Sequence, residues 1–282
     1  MDRLSGDVLV LLGCHAEPTA WFAGDVHLGA EPRGSLEGLG LSGGGVVNLE
    51  GPIADGPGGA VQRETGIQLT NPIGSGGWLA AQGVVAAGVV NNHADDLGEE
   101  GARRTRDALR LAGVAAVGPR AQVRFGDVPV TLLAYRVEEG IPAGMAEDLA
   151  GAGEWSVVGF HVDGPPSLLP RPALVAAVDA AVNGGADVVV AHGTHALGGV
   201  ERRGGAIVAW GLGNLVFDCP CTDGRDAIVL EVTFEPGLPA RVLPIRAGLG
   251  GESPVPGDAG VLDLIDALGL PPLRREGRWA RL

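Results

Sequence analysis

Apolar, β-branched runs in this chain repeatedly end on a residue able to ligate a metal. Trp21-Phe22-Ala23 leads through Gly24 to Asp25, Val26 and His27. Val46-Val47 leads to Asn48-Leu49-Glu50, and Val89-Val90 leads to Asn91-Asn92-His93 with Asp96 just after. Val157-Val158-Gly159-Phe160 leads to His161. Val188-Val189-Val190-Ala191 leads to His192-Gly193-Thr194-His195. In an α/β sheet, ligands bind beyond the carboxyl ends of the strands, where side chains from several strands converge. One such run carries little weight. Five imply separate strands aiming Asp, Glu, Asn and His at one place. Those residue types suit a divalent cation with mixed nitrogen and oxygen ligands.

The spacing of apolar residues predicts strands at 8–12, 21–23, 46–49, 84–90, 114–117, 128–135, 155–161 and 188–191. Helices are predicted at 76–83, 99–111 and 172–183. The second carries Ala102, Thr105, Leu109 and Ala112 on one face and Arg103, Arg106 and Arg110 on another. The third opens on Pro172 and stops at Gly184-Gly185. Segments 206–210, 227–234 and 241–245 read as a late meander. Strands alternating with helices, then a strand-rich end, predict layered α/β packing in one domain over 1–250. A Gly- and Pro-rich tail over 251–282 follows, with a short helix near 261–268.

A net charge of -14 and a pI near 4.8 argue against nucleic acid and anionic membrane as partners. There is no lysine, so all 20 basic residues are arginine. That excludes Schiff-base chemistry and a phosphate-binding P-loop lysine. Cys14, Cys219 and Cys221 make no disulfide framework. Cys219-Pro220-Cys221 reads as two reduced thiols in a loop, with a zinc site the other option. No stretch reads as an export signal or membrane span, so the expectation is a soluble, cytoplasmic protein. Nothing in the sequence specifies an oligomeric state.

The motifs at these strand ends, in this order, resemble the CapA family of poly-gamma-glutamate capsule proteins. That family lies within the calcineurin-like metallophosphoesterase superfamily. The resemblance runs from about Trp21 to about Phe234. It is carried by Gly24-Asp25-Val26-His27-Leu28-Gly29, Asn48-Leu49-Glu50 and Asn91-Asn92-His93-Ala94-Asp95-Asp96-Leu97-Gly98. His161, His192-Gly193-Thr194-His195 with Glu201, and Leu212-Gly213-Asn214-Leu215-Val216-Phe217-Asp218 complete it. The fold implied is an α/β/β/α sandwich of the metallophosphoesterase type. The resemblance also implies ligands. Asp25, His27 and His195 would hold a first divalent ion, and Asn92, His161 and His192 a second. Glu50 would bridge the two. His93 would give a proton, oriented by Asp96. Asp96 or Glu201 could fix an imidazole tautomer. Mn, Zn, Fe, Ca and Mg all tolerate such sites, so one or two ions of any of these are implied.

Two departures stand out. Many members lack a histidine at the position of His27, and its presence here favours two ions. The family often follows its fourth-motif histidine with Trp-Gly and a glutamate, whereas His161 is followed by Val162-Asp163-Gly164-Pro165-Pro166. No stretch reads as the membrane anchor common among capsule members. The leading expectation is a metal-dependent hydrolase acting through a metal-bound hydroxide on a phosphoester or a peptide-like amide. A small molecule or a peptide would be the substrate. The first alternative is an epimerase of a lasso-type peptide, with Asp25 and His195 as an acid/base pair. The second is a non-catalytic factor in poly-gamma-glutamate assembly.

Blander readings stand for other residues. His15 reads as a hydrogen-bonded core histidine, Asn91 as a turn residue and Asp95 as solvated. Glu50 could cap a helix starting near Ile53, and Asn214 could orient the site or shape a turn. Arg63 and Arg120 read as surface arginines with an anion-binding option. Trp78, Trp155 and Trp210 read as core.

Overall fold

The computed structural model describes residues 17–29, 34–54, 67–138, 140–218, 224–249, 251–269 and 272–282. The strand expected at 8–12, and Cys14, His15, Arg63, Cys219 and Cys221, lie outside the described residues. Two sheets form. The chain starts the first with β1 (Thr19–His27), β2 (Gly44–Leu49), β3 (Val84–Gly88) and β4 (Ala115–Val117), all parallel. It then builds the whole of the second. This contains β5 (Arg120–Phe125), β6 (Val128–Val137), β7 (Trp155–Val162), β8 (Val188–His192), β9 (Val200–Arg203) and β10 (Ala206–Ala209). The chain returns to the first sheet with β11 (Asn214–Phe217), β12 (Asp226–Thr233), β13 (Ala240–Arg246), β14 (Val255–Pro256), β15 (Arg274–Glu276) and β16 (Trp279–Arg281).

In the second sheet β6, β7, β8 and β10 run parallel, with β5 and β9 antiparallel at the edges. Its central strands are buried on both faces, which explains their unbroken apolar runs. Leu132, Val157, Val188 and Val190 turn inward onto Phe22, Val85 and Val117 of the first sheet. Leu133, Val158 and Val189 turn outward onto α3 (Met145–Ala150) and α4 (Pro172–Asn183). The outer face of the first sheet packs on α1 (Ser75–Ala81) and α2 (Gly98–Leu111) through Leu79 and Leu109. Each such side chain contributes about 1.5–3 kcal/mol on full burial. The layers are therefore helix, sheet, sheet, helix, a fold of the metallophosphoesterase type.

The expected late meander is corrected. Ala206–Ala209 belongs to the second sheet, parallel to β8, while β12 and β13 pair antiparallel in the first. Within 251–282, α5 (Ala259–Leu268) sends Val261, Leu262 and Ile265 into the core between the sheets. There β16 also pairs with β13. No described helix is long and apolar enough to cross a membrane.

The pairing of β1 decides where the site forms. One edge runs along β2. The other is divided: residues 19–22 pair with β12, and residues 25–27 pair with β11. Gly213 lies where the two meet, at φ 72°, and its carbonyl accepts a hydrogen bond from Asp25 N at 3.2 Å. A Cβ on Gly24 would fall inside that carbonyl group. Only glycine at 24 lets the backbones come this close.

Candidate metal centre

The parallel strands end at one level and present their last side chains together. Register places Asp25 beside Asn48 on one side and Asn214 on the other, and His161 beside His192. The two sheets meet here, because Gly193 N after β8 donates to Asp25 Oδ2 at 3.0 Å. Gly193 (φ 80°) and His195 (φ 47°) both take left-handed backbone angles. That turn brings two histidines three residues apart back to one carboxylate. His192 Nδ1 lies 3.7 Å from Asp25 Oδ1 and His195 Nδ1 lies 3.4 Å from Asp25 Oδ2.

Glu50 follows β2 and is buried. Its two oxygens face different histidines: Oε2 lies 3.8 Å from His195 Nε2 and Oε1 lies 4.0 Å from His161 Nε2. No described helix starts near Ile53, so the capping alternative for Glu50 falls; Ile53 instead bridges to Asn71. Asn92 Oδ1 is 2.8 Å from His161 Nε2. Asn91 turns inward, donating to Leu49 O at 2.8 Å and accepting from His93 N at 3.1 Å. It therefore braces the loop that presents Asn92 and His93. His93 Nδ1 lies 2.7 Å from Asp96 Oδ2, which also accepts from Leu69 N. The ring is thus fixed by a buried carboxylate, the residue that the family resemblance implied. The His27 ring packs against Phe217 at 5.5 Å, and Phe217 packs on His195 at 4.6 Å.

Asn214, which the sequence left open, orients His195: its Oδ1 is 2.9 Å from Nδ1. With the amide oxygen as acceptor, this contact selects the tautomer protonated on Nδ1 and turns Nε2 toward Glu50. Glu201 does not share this task. It accepts from Trp210 Nε1 at 3.0 Å, away from the imidazoles. Arg120 is also structural, donating to the carbonyls of Asp148 and Gly151. Asn48 went unassigned in the sequence reading. Its Nδ2 donates to Asp25 Oδ1 at 2.8 Å and lies 3.3 Å from His161 Nδ1, tying the two sheets together. The signal was a polar residue inside the apolar run of β2.

Burial opposes the charge on Asp25, but the imidazoles of His195, His192 and His161 and the Gly193 N–H outweigh it and lower its pKa. Glu50 moves far the other way. Burial raises its pKa, and Asp25, Asp163 and Asp96 raise it further. Burial brings His161 down to about 4 and lowers His192 as well, so both imidazoles are neutral at neutral pH. Neutral imidazoles and crowded carboxylates are what a divalent cation needs. Glu50 Oε2 and His192 Nδ1 are buried without a hydrogen-bond partner. Leaving such atoms unsatisfied among the described residues is costly, and bound cations would remove the cost. Asp25, Glu50 and His195 each offer one ligand atom, all within 4.8 Å of one another. The residues present fit a metal.

The family model for the bacterial capsule synthesis protein PGA_cap matches residues 42–138 and 134–219, well over half of the chain. This chain belongs to that family. No curated protein matches it. The stretch matched to the capsule synthesis family contains Glu50, Asn92, His93, Asp96, His161, His192, His195 and Asn214. Asp25 and His27 precede it; Asp25 joins the cluster by geometry, whereas the ring of His27 contacts Phe217.

Proposed function

We propose that this capsule synthesis family member is a hydrolase that works with two divalent ions on a phosphoester or a peptide-like amide. One observation carries the reading: the two oxygens of a single buried carboxylate, Glu50, face histidines from two separate groups. A carboxylate so placed could offer one oxygen to each of two ions. Asp25, His195 and one Glu50 oxygen would hold the first, with His27 nearby. His161, Asn92, His192 and the other Glu50 oxygen would hold the second. When bound, the ions lower the pKa of water and offset charge developing on the substrate.

The chain's own groups do the rest. Asn214 keeps the proton of His195 on Nδ1, so Nε2 stays a ligand. Asp96 accepts from Nδ1–H of His93 and orients the ring, so that its imidazolium form would give the Nε2 proton to the leaving group and return to the neutral Nδ1–H ring. Asn48 and the Gly193 N–H hold Asp25 as an aligned carboxylate.

The test uses metal-loaded protein with p-nitrophenyl phosphate and a peptide p-nitroanilide in ¹⁸O-labelled water. Metal-dependent release of product carrying one labelled oxygen is expected. Deuterium uptake into an uncleaved peptide in heavy water would show proton exchange in place of hydrolysis. Protein that takes up no Mn²⁺ or Zn²⁺ would remove the reading altogether.

A further inference from the structure

We infer that Asp163 is a further ligand to the ion on the His161 side, and that Arg136 positions it. This rests on the two-ion reading above. Asp163 lies just past β7, two residues after His161, in the stretch where the chain departs from the CapA pattern. Its Oδ1 is buried, has no hydrogen-bond partner among the described residues and lies 3.9 Å from His161 Nε2. Around the same nitrogen stand Asn92 Oδ1 at 2.8 Å and Glu50 Oε1 at 4.0 Å. A separation of 3.9 Å is too long for a hydrogen bond. It suits two donors sharing one cation, because metal–ligand bonds of about 2.0–2.2 Å set neighbouring donors roughly 3–4 Å apart.

The other oxygen shows how the carboxylate is held. Asp163 Oδ2 accepts from Arg136 Nε at 3.0 Å and from a second nitrogen of the same guanidinium. Arg136 also pairs with Glu138 at 3.0 Å. Arg171 donates to the main-chain carbonyls of Asp163 and Pro165, which pins the loop. A carboxylate serving only a surface ion pair would turn both oxygens to the arginine or to water. Here one oxygen meets the arginine and the other turns inward with nothing to accept from. Ligating carboxylates are commonly held in this way by a hydrogen bond from behind.

The experiment titrates the metal-free full chain with Mn²⁺, followed by calorimetry and electron paramagnetic resonance. The wild type should bind two ions and give an exchange-coupled signal. Asp163→Asn should weaken one binding step at least about tenfold, spare the other and lose the coupled signal. Its metal-free melting curve should match the wild type. Arg136→Gln should weaken the same step by less. If Asp163→Asn keeps both steps and the coupled signal, the inference fails while the two-ion reading stands. If the wild type binds fewer than two ions, the two-ion reading fails and takes the inference with it. Should Asp163→Asn not fold, Arg136→Gln decides, and unaltered Mn²⁺ binding in it overturns the inference.

Discussion

Two clusters of charge occupy opposite extremes of this molecule. On α2, Glu100 pairs with Arg103 and Arg104 at 2.8 Å, and Asp107 pairs with Arg103 at 2.7 Å. These contacts are short, but the Arg103 and Glu100 side chains are 56% and 53% exposed. At the strand ends the closest His–carboxylate approaches around Asp25 and Glu50 are 3.4–4.0 Å, and both carboxylates are about 1% exposed. Counting short ion pairs would rank the helix as the more important cluster. Dielectric and solvation reverse that ranking. Water screens the exposed pairs, and their side chains lose entropy by meeting. The buried groups cannot escape one another, so each depends on its neighbours or on a cation.

The largest effect should come from breaking the backbone that assembles the buried cluster. Gly24→Val must push β1 away from Gly213, and the loss should exceed about 4 kcal/mol. Soluble yield and circular dichroism check it, and a normally folded Gly24→Val protein would refute the packing account. Next is His93→Ala, which should retain metal yet lose roughly 10²–10⁴-fold in turnover. Elemental analysis alongside single-turnover rates separates the two, and unchanged turnover would remove His93 from the chemistry. Asn214→Ala should weaken metal binding by about 10–100-fold through loss of the His195 tautomer lock. Calorimetry reads that directly, and wild-type affinity would mean the lock is idle. The smallest effect belongs to the exposed cluster. Arg103→Ala should leave metal binding alone and barely move the melting temperature. A large drop there would undo the contrast between the clusters.

Much of this was legible beforehand where local rules suffice. The bounds of α4 follow from Pro172 in its first turn and Gly184 after its last, and the structure keeps them. The strands that end on ligands were visible because burial on both faces leaves unbroken β-branched runs. The pairing of Asp96 with His93 was legible only through the family resemblance. Non-local pairing was not. The segment 206–210 looks like any strand in a meander, and only its partner β8 places it in the second sheet. The strands β15 and β16 hold three residues each, too few to show a period. Glu201 stands six residues after His195 in sequence but faces Trp210, because the direction of a side chain on β9 depends on a register that sequence does not state. Asn48 and Asp163 share that difficulty, since each gains meaning only from residues of another strand.

The chain path bears on the order in which a ribosome releases these parts. Residues 120–209 form the second sheet in one uninterrupted stretch and can complete it as soon as they emerge. The first sheet has no such freedom. Thr19 pairs with Thr233, 214 residues later. At translation rates of about 5–20 residues per second, the edge of β1 waits roughly ten to forty seconds for its partner. During that interval a bare, apolar strand edge is open to strands of neighbouring nascent chains. Asn214 reaches Asp25 and His195 only toward the end of the same interval, so the candidate metal cluster is assembled after the second sheet rather than with it.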